Sequence, residues 1–259
     1  VAQPSRPSRR GVHVSRVAVV TGPGSGIGLG ITQRLAADGD KVALLDRSGE
    51  AAEQAAAELR AGGATAIAVE VDVADRAAVT AGFDKVRAEL GPVTVLVTSA
   101  GVEAFEPALT LSAESWDRII AINLTGTFIC VQAALGDMLD AGWGRIVTIS
   151  SSSAQSGAPH MAHYAASKGG VIALTKALAR ELASKQITVN TIPPSLVDTP
   201  MARGAEAAGL VSVEAMAAHV PLGRAGTPED IAAACTFLCS EEGGYITGQV
   251  IGVNGGMYI

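Results

Sequence analysis

An α/β fold is predicted by the sequence: a single doubly wound domain whose parallel sheet carries helices on both faces. Three observations predict it. Short apolar runs alternate with segments of helical periodicity along almost the whole chain, the pattern of a parallel sheet under crossover helices. The first of these runs passes directly into a glycine-rich turn and then a helix. No linker, low-complexity block or internal repeat divides the 259 residues, a length that suits one large domain.

Residues 1–15 (VAQPSRPSRRGVHVS) are rich in Arg, Pro and Ser and lack the apolar segment of a signal peptide. They read as a disordered tail or expression remnant, and the fold is expected over 16–259. The first strand is predicted at 16–21 (RVAVVT). Gly22, Gly24, Gly26 and Gly28 come next, and a helical pattern continues through Ala37. Strand, glycine turn and helix together aim free N–H groups and the positive helix end at a phosphate. A second strand, 41–46 (KVALLD), ends in Asp46, about twenty residues past the glycines, where a carboxylate can accept ribose hydroxyls of a dinucleotide. Helix 50–61, strand 65–70, helix 75–90 and strand 93–97 continue the alternation. A long helix begins near 115 and leads to strand 145–149. A helix carrying Tyr164 and Lys168, strand 187–192, a helix from 228 and a seventh strand at 249–253 complete it.

Between the fifth strand and its helix lies SSSAQSGAPHMAHYAASK, residues 151–168. Tyr164 and Lys168 are four apart, so on a helix they share a face. A phenol ionises near pH ~10, and an adjacent ammonium favours the phenolate, which makes a tyrosine usable as an acid and base.

Composition narrows the function. The net charge of −6 and the lack of a basic stripe argue against nucleic acid. No uninterrupted apolar run approaches the ~20 residues that span a bilayer, so no membrane partner is expected. With 48% hydrophobic residues, 17% charged and a mean hydropathy of +0.34, surplus apolar surface is expected to go into subunit contacts. Cys130, Cys235 and Cys239 have no metal or redox spacing and read as buried hydrophobes in a cytoplasmic protein. There is no Gly-x-Ser-x-Gly, and His13, His160, His163 and His219 suggest no triad. His160 and His163 read as pocket or surface residues. No metal site is predicted.

The spacing Thr21-Gly22-x-x-x-Gly26-x-Gly28, with Tyr164-x-x-x-Lys168, resembles the short-chain dehydrogenase/reductase family, whose fold is Rossmann-type. Ser99-Ala100-Gly101, Asn123 in Ile122-Asn123-Leu124, Ser151, the stretch from Val189-Asn190 to Thr199-Pro200-Met201, and the ending with Asn254-Gly255-Gly256 extend the likeness over nearly everything after the tail. Thr98-Ser99 replaces the family's paired asparagines, and Ser195 replaces the glycine after Pro194.

The resemblance implies hydride transfer between a nicotinamide and a secondary alcohol or ketone, with Tyr164 as acid–base. Lys168 would lower the tyrosine pKa and bind the nicotinamide ribose. Ser151 would donate to the substrate oxygen, with Ser153 as the alternative in the run of four serines, and Asn123 would hold a relay water. Cofactor contacts are implied for Gly22, Ser25, Gly26, Ile27 and Gly28, for Asp46 and Arg47 at the adenosine ribose, and for Asp72 and Val73 at the adenine. Ala100, Gly101, Tyr164, Lys168, Pro194, Val197 and Thr199 would complete them. Ser153, His160 and Met201 would line the substrate pocket, under a lid at about 200–221.

The cofactor expected is NAD, because Asp46 repels a 2′-phosphate and Ser25 stands where NADP-dependent relatives usually carry a base. Arg47 keeps NADP as the second choice. The family further implies a homotetramer. Two other readings stand beside the alcohol dehydrogenase: a 3-oxoacyl carrier-protein reductase using NADPH, and a catalytically silent NAD-binding module.

Overall fold

The computed structural model describes residues 16–259; the reading of 1–15 as a tail, and His13 with it, lies outside the described residues. Six parallel strands form one sheet in the order β3-β2-β1-β4-β5-β6. They are β1 (Val17–Thr21), β2 (Lys41–Asp46), β3 (Ala66–Glu70), β4 (Val95–Thr98), β5 (Gly144–Ile149) and β6 (Ile187–Ile192). The order reverses between β1 and β4, which opens a crevice at the carboxyl ends of those two strands, the place where doubly wound sheets bind ligands.

Strand residues alternate between two apolar layers, as the pleat requires. Val17, Val19, Ala43, Leu45, Leu96 and Ile146 face one core. Covering that face are α3 (Arg76–Glu89), α5 (Gly126–Ala141) and α7 (Ala162–Leu182). Ala18, Val20, Val42, Leu44, Val95 and Val147 face the other, under α1 (Gly26–Ala37), α2 (Gly49–Ala61) and α10 (Pro228–Cys239). Cys130 belongs to the first layer and Cys235 and Cys239 to the second; all three are free thiols.

The long central helix has two parts. Its first half, α4 (Ala113–Ile120), passes through a π-helical turn (Ala121–Thr125) into α5. By length and composition this 29-residue helix, Ala113–Ala141, could cross a membrane. Here Ile129, Cys130, Val131, Ala134 and Met138 instead pack it onto the sheet.

One predicted element differs. The stretch 249–253 runs beside β6 but forms isolated parallel bridges, Thr191 to Val250 and Pro194 to Val253, in place of a seventh strand. Pro193 and Pro194 have no N–H to donate, which breaks the ladder where it would extend. Residues 200–221 fold as two short helices, α8 (Pro200–Ala207) and α9 (Val213–Ala217).

Candidate active site

The crevice continues into a cavity of about 640 Å³ that runs from the end of β2 to α8 and α9. Its first wall is the glycine turn. Gly22 has φ +68° and lies so near the β4 loop that a Cβ there would sit 2.7 Å from Ala100 Cα. A Cβ on Gly28 would stand 2.2 Å from the Gly22 carbonyl oxygen. The turn is therefore as close to its neighbours as bare backbone permits.

Behind it lies the start of α1. Ser25 occupies the N-cap position, yet its side chain makes no capping bond and no acid sits in the first turn. At α2, α3, α4, α8, α9 and α10 a side chain does cap the start. The open N–H groups at the start of α1, with Ser25, Gly26, Ile27 and Gly28 on the cavity wall, fit a pyrophosphate. Asp46 closes the adenosine end. One of its oxygens accepts from Gly24 N at 2.9 Å and the other from Ser48 N at 2.9 Å. A carboxylate offers about four lone-pair sites, so acceptor capacity remains for ribose hydroxyls. Arg47, Asp72, Val73, Ala100 and Gly101 line the same half. A dinucleotide fits these residues.

The acid–base end is built where β5 meets α7. Tyr164 and Lys168 share one helical face, with the lysine Nζ 5.9 Å from the phenol ring centre. The Nζ donates to the Ile149 carbonyl at 2.9 Å, at the end of β5. Burial lowers Lys168 from its ordinary 10.5 to about 8. Tyr164 moves the other way. Burial first, then the nearby charge of Glu103, pushes it up to about 12, against a hydrogen bond with Ser151 that lowers it. Burial thus sets the direction of the Tyr164 shift, while the Lys168 Nζ is turned to the Ile149 carbonyl.

The four serines separate by position. Ser150 is buried and its Oγ donates to the Lys168 carbonyl at 2.8 Å, so it fastens β5 to α7. Ser151 reaches Tyr164 and accepts from Ser153 Oγ at 2.8 Å. Ser152 donates its N–H to the Pro194 carbonyl at 2.8 Å. Ser153, at the start of the one-turn helix α6 (Ser153–Ser156), orients Ser151 and also lines the cavity.

Asn123 lies on the π-helical turn, fully buried behind the wall and not on it. Its amide accepts from Val102 N at 2.9 Å and donates to Val102 O at 2.9 Å and to Ser167 Oγ at 3.1 Å. The side chain thus pins the loop after β4 to α7 with both amide hydrogens and one lone pair of its oxygen. π-turns of this kind recur at functional sites.

Pro194, Val197, Thr199 and Met201 line the cavity on the far side of Tyr164. His160 does not. It is exposed on a turn with φ +63°, while its carbonyl accepts from Glu106 N at 2.7 Å. The backbone conformation carries the ring away from the site. His163 is neither pocket nor surface: it is fully buried, 3.9 Å from the Glu106 carboxylate, and neither ring nitrogen has a hydrogen bond. At the asparagine replacement, Ser99 N and Ala100 N donate to Thr21 Oγ1 at 3.2 and 3.1 Å, while Thr98 Oγ1 is buried without a partner. Ser195 stays on the cavity wall. Two residues with a part here carry no motif in the sequence, Ser150 and Glu103.

Comparison with known proteins agrees with this geometry. Residues 22–258 match the family model described as enoyl-(acyl carrier protein) reductase. A protein of Xanthobacter autotrophicus named inactive 2-(S)-hydroxypropyl-CoM dehydrogenase 2 is 44% identical over 85% of this chain and 95% of its own length. 2-(S)-hydroxypropyl-CoM dehydrogenase 3 of the same organism is 39% identical over 94% of this chain and 96% of its own. A 3-oxoacyl-[acyl-carrier-protein] reductase of Staphylococcus aureus is 40% identical over 96% of this chain and all of its own. The chain belongs to the short-chain dehydrogenase/reductase family, and it is an NAD(P)-type oxidoreductase acting on CH–OH and keto groups.

Proposed function

We propose that this protein is an NAD-dependent dehydrogenase of a secondary alcohol, with Tyr164 as the acid–base. The observation that carries the reading is the convergence of Ser151, Tyr164 and Lys168 on one cavity whose other end is closed by Asp46. A bound nicotinamide supplies the hydride acceptor. The protein's own residues do the rest. Tyr164 takes the alcohol proton as the substrate carbon is oxidised, and Ser151, held by Ser153, donates to the substrate oxygen as charge develops there. Lys168 offers its ammonium to the phenolate and to the ribose hydroxyls. Asn123 holds the β4 loop and α7 in register, and the second lone pair of its amide oxygen is the acceptor for the relay water. Residues 200–221 serve as the lid, with Met201, Ala205 and Met216 presenting an apolar cover to the substrate.

The preference for NAD is argued from charge. Asp46 stands at the ribose, and Glu70 is its partner in the β2–β3 register. Unit charges 5 Å apart at an effective dielectric of about 20 repel by about 3 kcal/mol. Asp46 is half-exposed, which trims this, so a discrimination of roughly tenfold to a hundredfold in kcat/KM is expected for NAD over NADP. Exposed Arg47 is the one cation on the cavity wall at this end among the described residues. Steady-state kinetics with both cofactors on a panel of secondary alcohols and ketones tests it. An equal or higher kcat/KM with NADP would overturn the preference, and Asp46→Asn is expected to narrow the gap.

The names of the Staphylococcus aureus relative and its kind favour a second reading, reduction of a 3-oxoacyl carrier-protein substrate. Turnover of an acetoacetyl thioester with NADPH above that of any simple ketone with NADH would select it. The word "inactive" in the first relative's name raises the silent module, against which Asn123, Ser151, Tyr164 and Lys168 are all present here.

A homotetramer is the expected assembly. Phe128 and Leu139 are exposed on α5, and Gly169 leaves open space on the outside of α7, which suits close approach between copies. Light scattering should give about four times the 26.1 kDa chain mass; a monomer would refute it.

A further inference from the structure

The substrate half of the cavity contains one charge that neither cofactor binding nor proton transfer uses. Glu103 follows the β4 loop, lines the cavity and is half-buried. Its carboxylate makes no hydrogen bond and no ion pair among the described residues, and burial alone raises its proton affinity. It is near enough to Tyr164 for its charge to bear on the phenol. Val102, Phe105, Met161 and Met201 supply apolar wall nearby.

Among the described residues, the cations on the cavity wall are two. Arg47 belongs to the adenosine end, and in the dehydrogenase reading the Lys168 ammonium, bonded to the Ile149 carbonyl, serves the phenolate and the ribose hydroxyls. An anionic substrate would therefore meet an unpaired carboxylate with no cation of its own among the described residues of the wall. A partly desolvated carboxylate without a partner is costly, and an incoming ammonium relieves that cost with a charge-assisted hydrogen bond.

We propose that Glu103 is a specificity-determining residue that reads an ammonium carried next to the reacting carbinol, so that the site takes vicinal amino alcohols and the corresponding amino ketones in preference to hydroxy acids. The proposal deepens the dehydrogenase reading and rests on it. Glu103 takes no part in the proton transfer. It places the substrate, and its pairing with an ammonium also offsets the negative charge that adds to burial in raising the Tyr164 phenol.

Three secondary alcohols of matched size test the idea: 2-amino-1-phenylethanol, the neutral 1-phenyl-1,2-ethanediol and mandelate. With NAD, the wild-type kcat/KM is expected to favour the amine over the diol by about tenfold or more, the scale of one charge-assisted hydrogen bond, and to place mandelate last. Glu103→Gln should bring amine and diol within about threefold of each other, and Glu103→Lys should move mandelate ahead of the amine. Melting temperatures of both variants check that they are folded. An amine-to-diol ratio that Glu103→Gln leaves unchanged overturns the proposal. Calorimetric titration of the amine and of mandelate into the wild type and Glu103→Gln separates this from the reading beneath it. If none of the alcohols is oxidised, the dehydrogenase reading fails. Tighter binding of the amine that depends on Glu103 would still uphold the charge preference, and binding without that dependence, or no binding of the amine, sinks it.

Discussion

Tyr164→Phe is expected to lower kcat by about 10²–10⁴-fold, the usual contribution of a positioned acid–base group, while dinucleotide affinity stays within about twofold. The two readouts are separable because the phenol oxygen lies at the reacting end of the cavity and the glycine turn and Asp46 lie at the other. Phenylalanine keeps the ring, so the packing of α7 persists and the loss is chemical. Steady-state kinetics and a titration of NADH fluorescence measure the pair. Turnover of the best alcohol that survives in the variant would dismiss Tyr164 from its role.

The pH dependence has a definite sign. Oxidation needs the phenolate, so kcat for the alcohol rises with pH until the tyrosine is ionised; reduction needs the neutral phenol, so the reverse rate falls over the same range. In the free protein the phenol stands at about 12 and Lys168 at about 8. A bound nicotinamide carries positive charge, which favours the phenolate, so a lower working pKa is expected in the complex. An oxidation profile with its midpoint well below 12 is expected, and the Tyr164→Phe residual rate should lack that limb.

Gly28→Ala carries the second large effect. The added Cβ would fall 2.2 Å from the Gly22 oxygen, 2.8 Å from the Gly22 carbonyl carbon and 3.0 Å from Pro23 Cα. All three are backbone atoms, which cannot swing aside as a side-chain tip would. Gly22 is itself confined by Ala100 and held at positive φ. Relief must come from moving the turn off α1, which displaces the N–H groups meant for the pyrophosphate. Overpacking of this kind costs about 1–3 kcal/mol or more, which for a domain of this size lowers Tm by roughly 3–10 °C. Dinucleotide affinity should fall by on the order of a hundredfold, about the 3 kcal/mol at stake. Gly204→Ala is the control: it lies inside α8 with nothing within 4 Å of the added atom, so Tm should hold or rise slightly. Calorimetry on both variants, with and without NAD, decides it; a Gly28→Ala protein that melts and binds like the wild type would refute the packing argument.

The strands, the glycine turn, Asp46 and the Tyr–Lys pair could be read from the chain because each leaves a local mark: an apolar run, a glycine spacing, a carboxylate at a strand end, a four-residue interval. What stayed hidden depends on backbone path. The seventh strand looked complete in composition, but Pro193 and Pro194 of the neighbouring segment could not donate to it. His160 is three and four residues from His163 and Tyr164 by sequence, yet a left-handed residue turns it outward. The π-turn at Asn123 shifts hydrogen bonding by a single residue and leaves no compositional trace. Glu103 lies in a loop without periodicity, and only the shape of the cavity gives its charge a meaning.

Lys168 is fixed at both of its ends to consecutive residues of one strand terminus: its ammonium to the Ile149 carbonyl, and its own carbonyl to the Ser150 hydroxyl. It is thus a spacer as well as a charge, for these two bonds set how far Ser151 stands from Tyr164. Removing the ammonium loosens one of the two fastenings, so a Lys168 variant changes the ruler together with the reagent. Its kinetic defect measures both at once, and the loss attributable to charge alone is smaller than the loss observed.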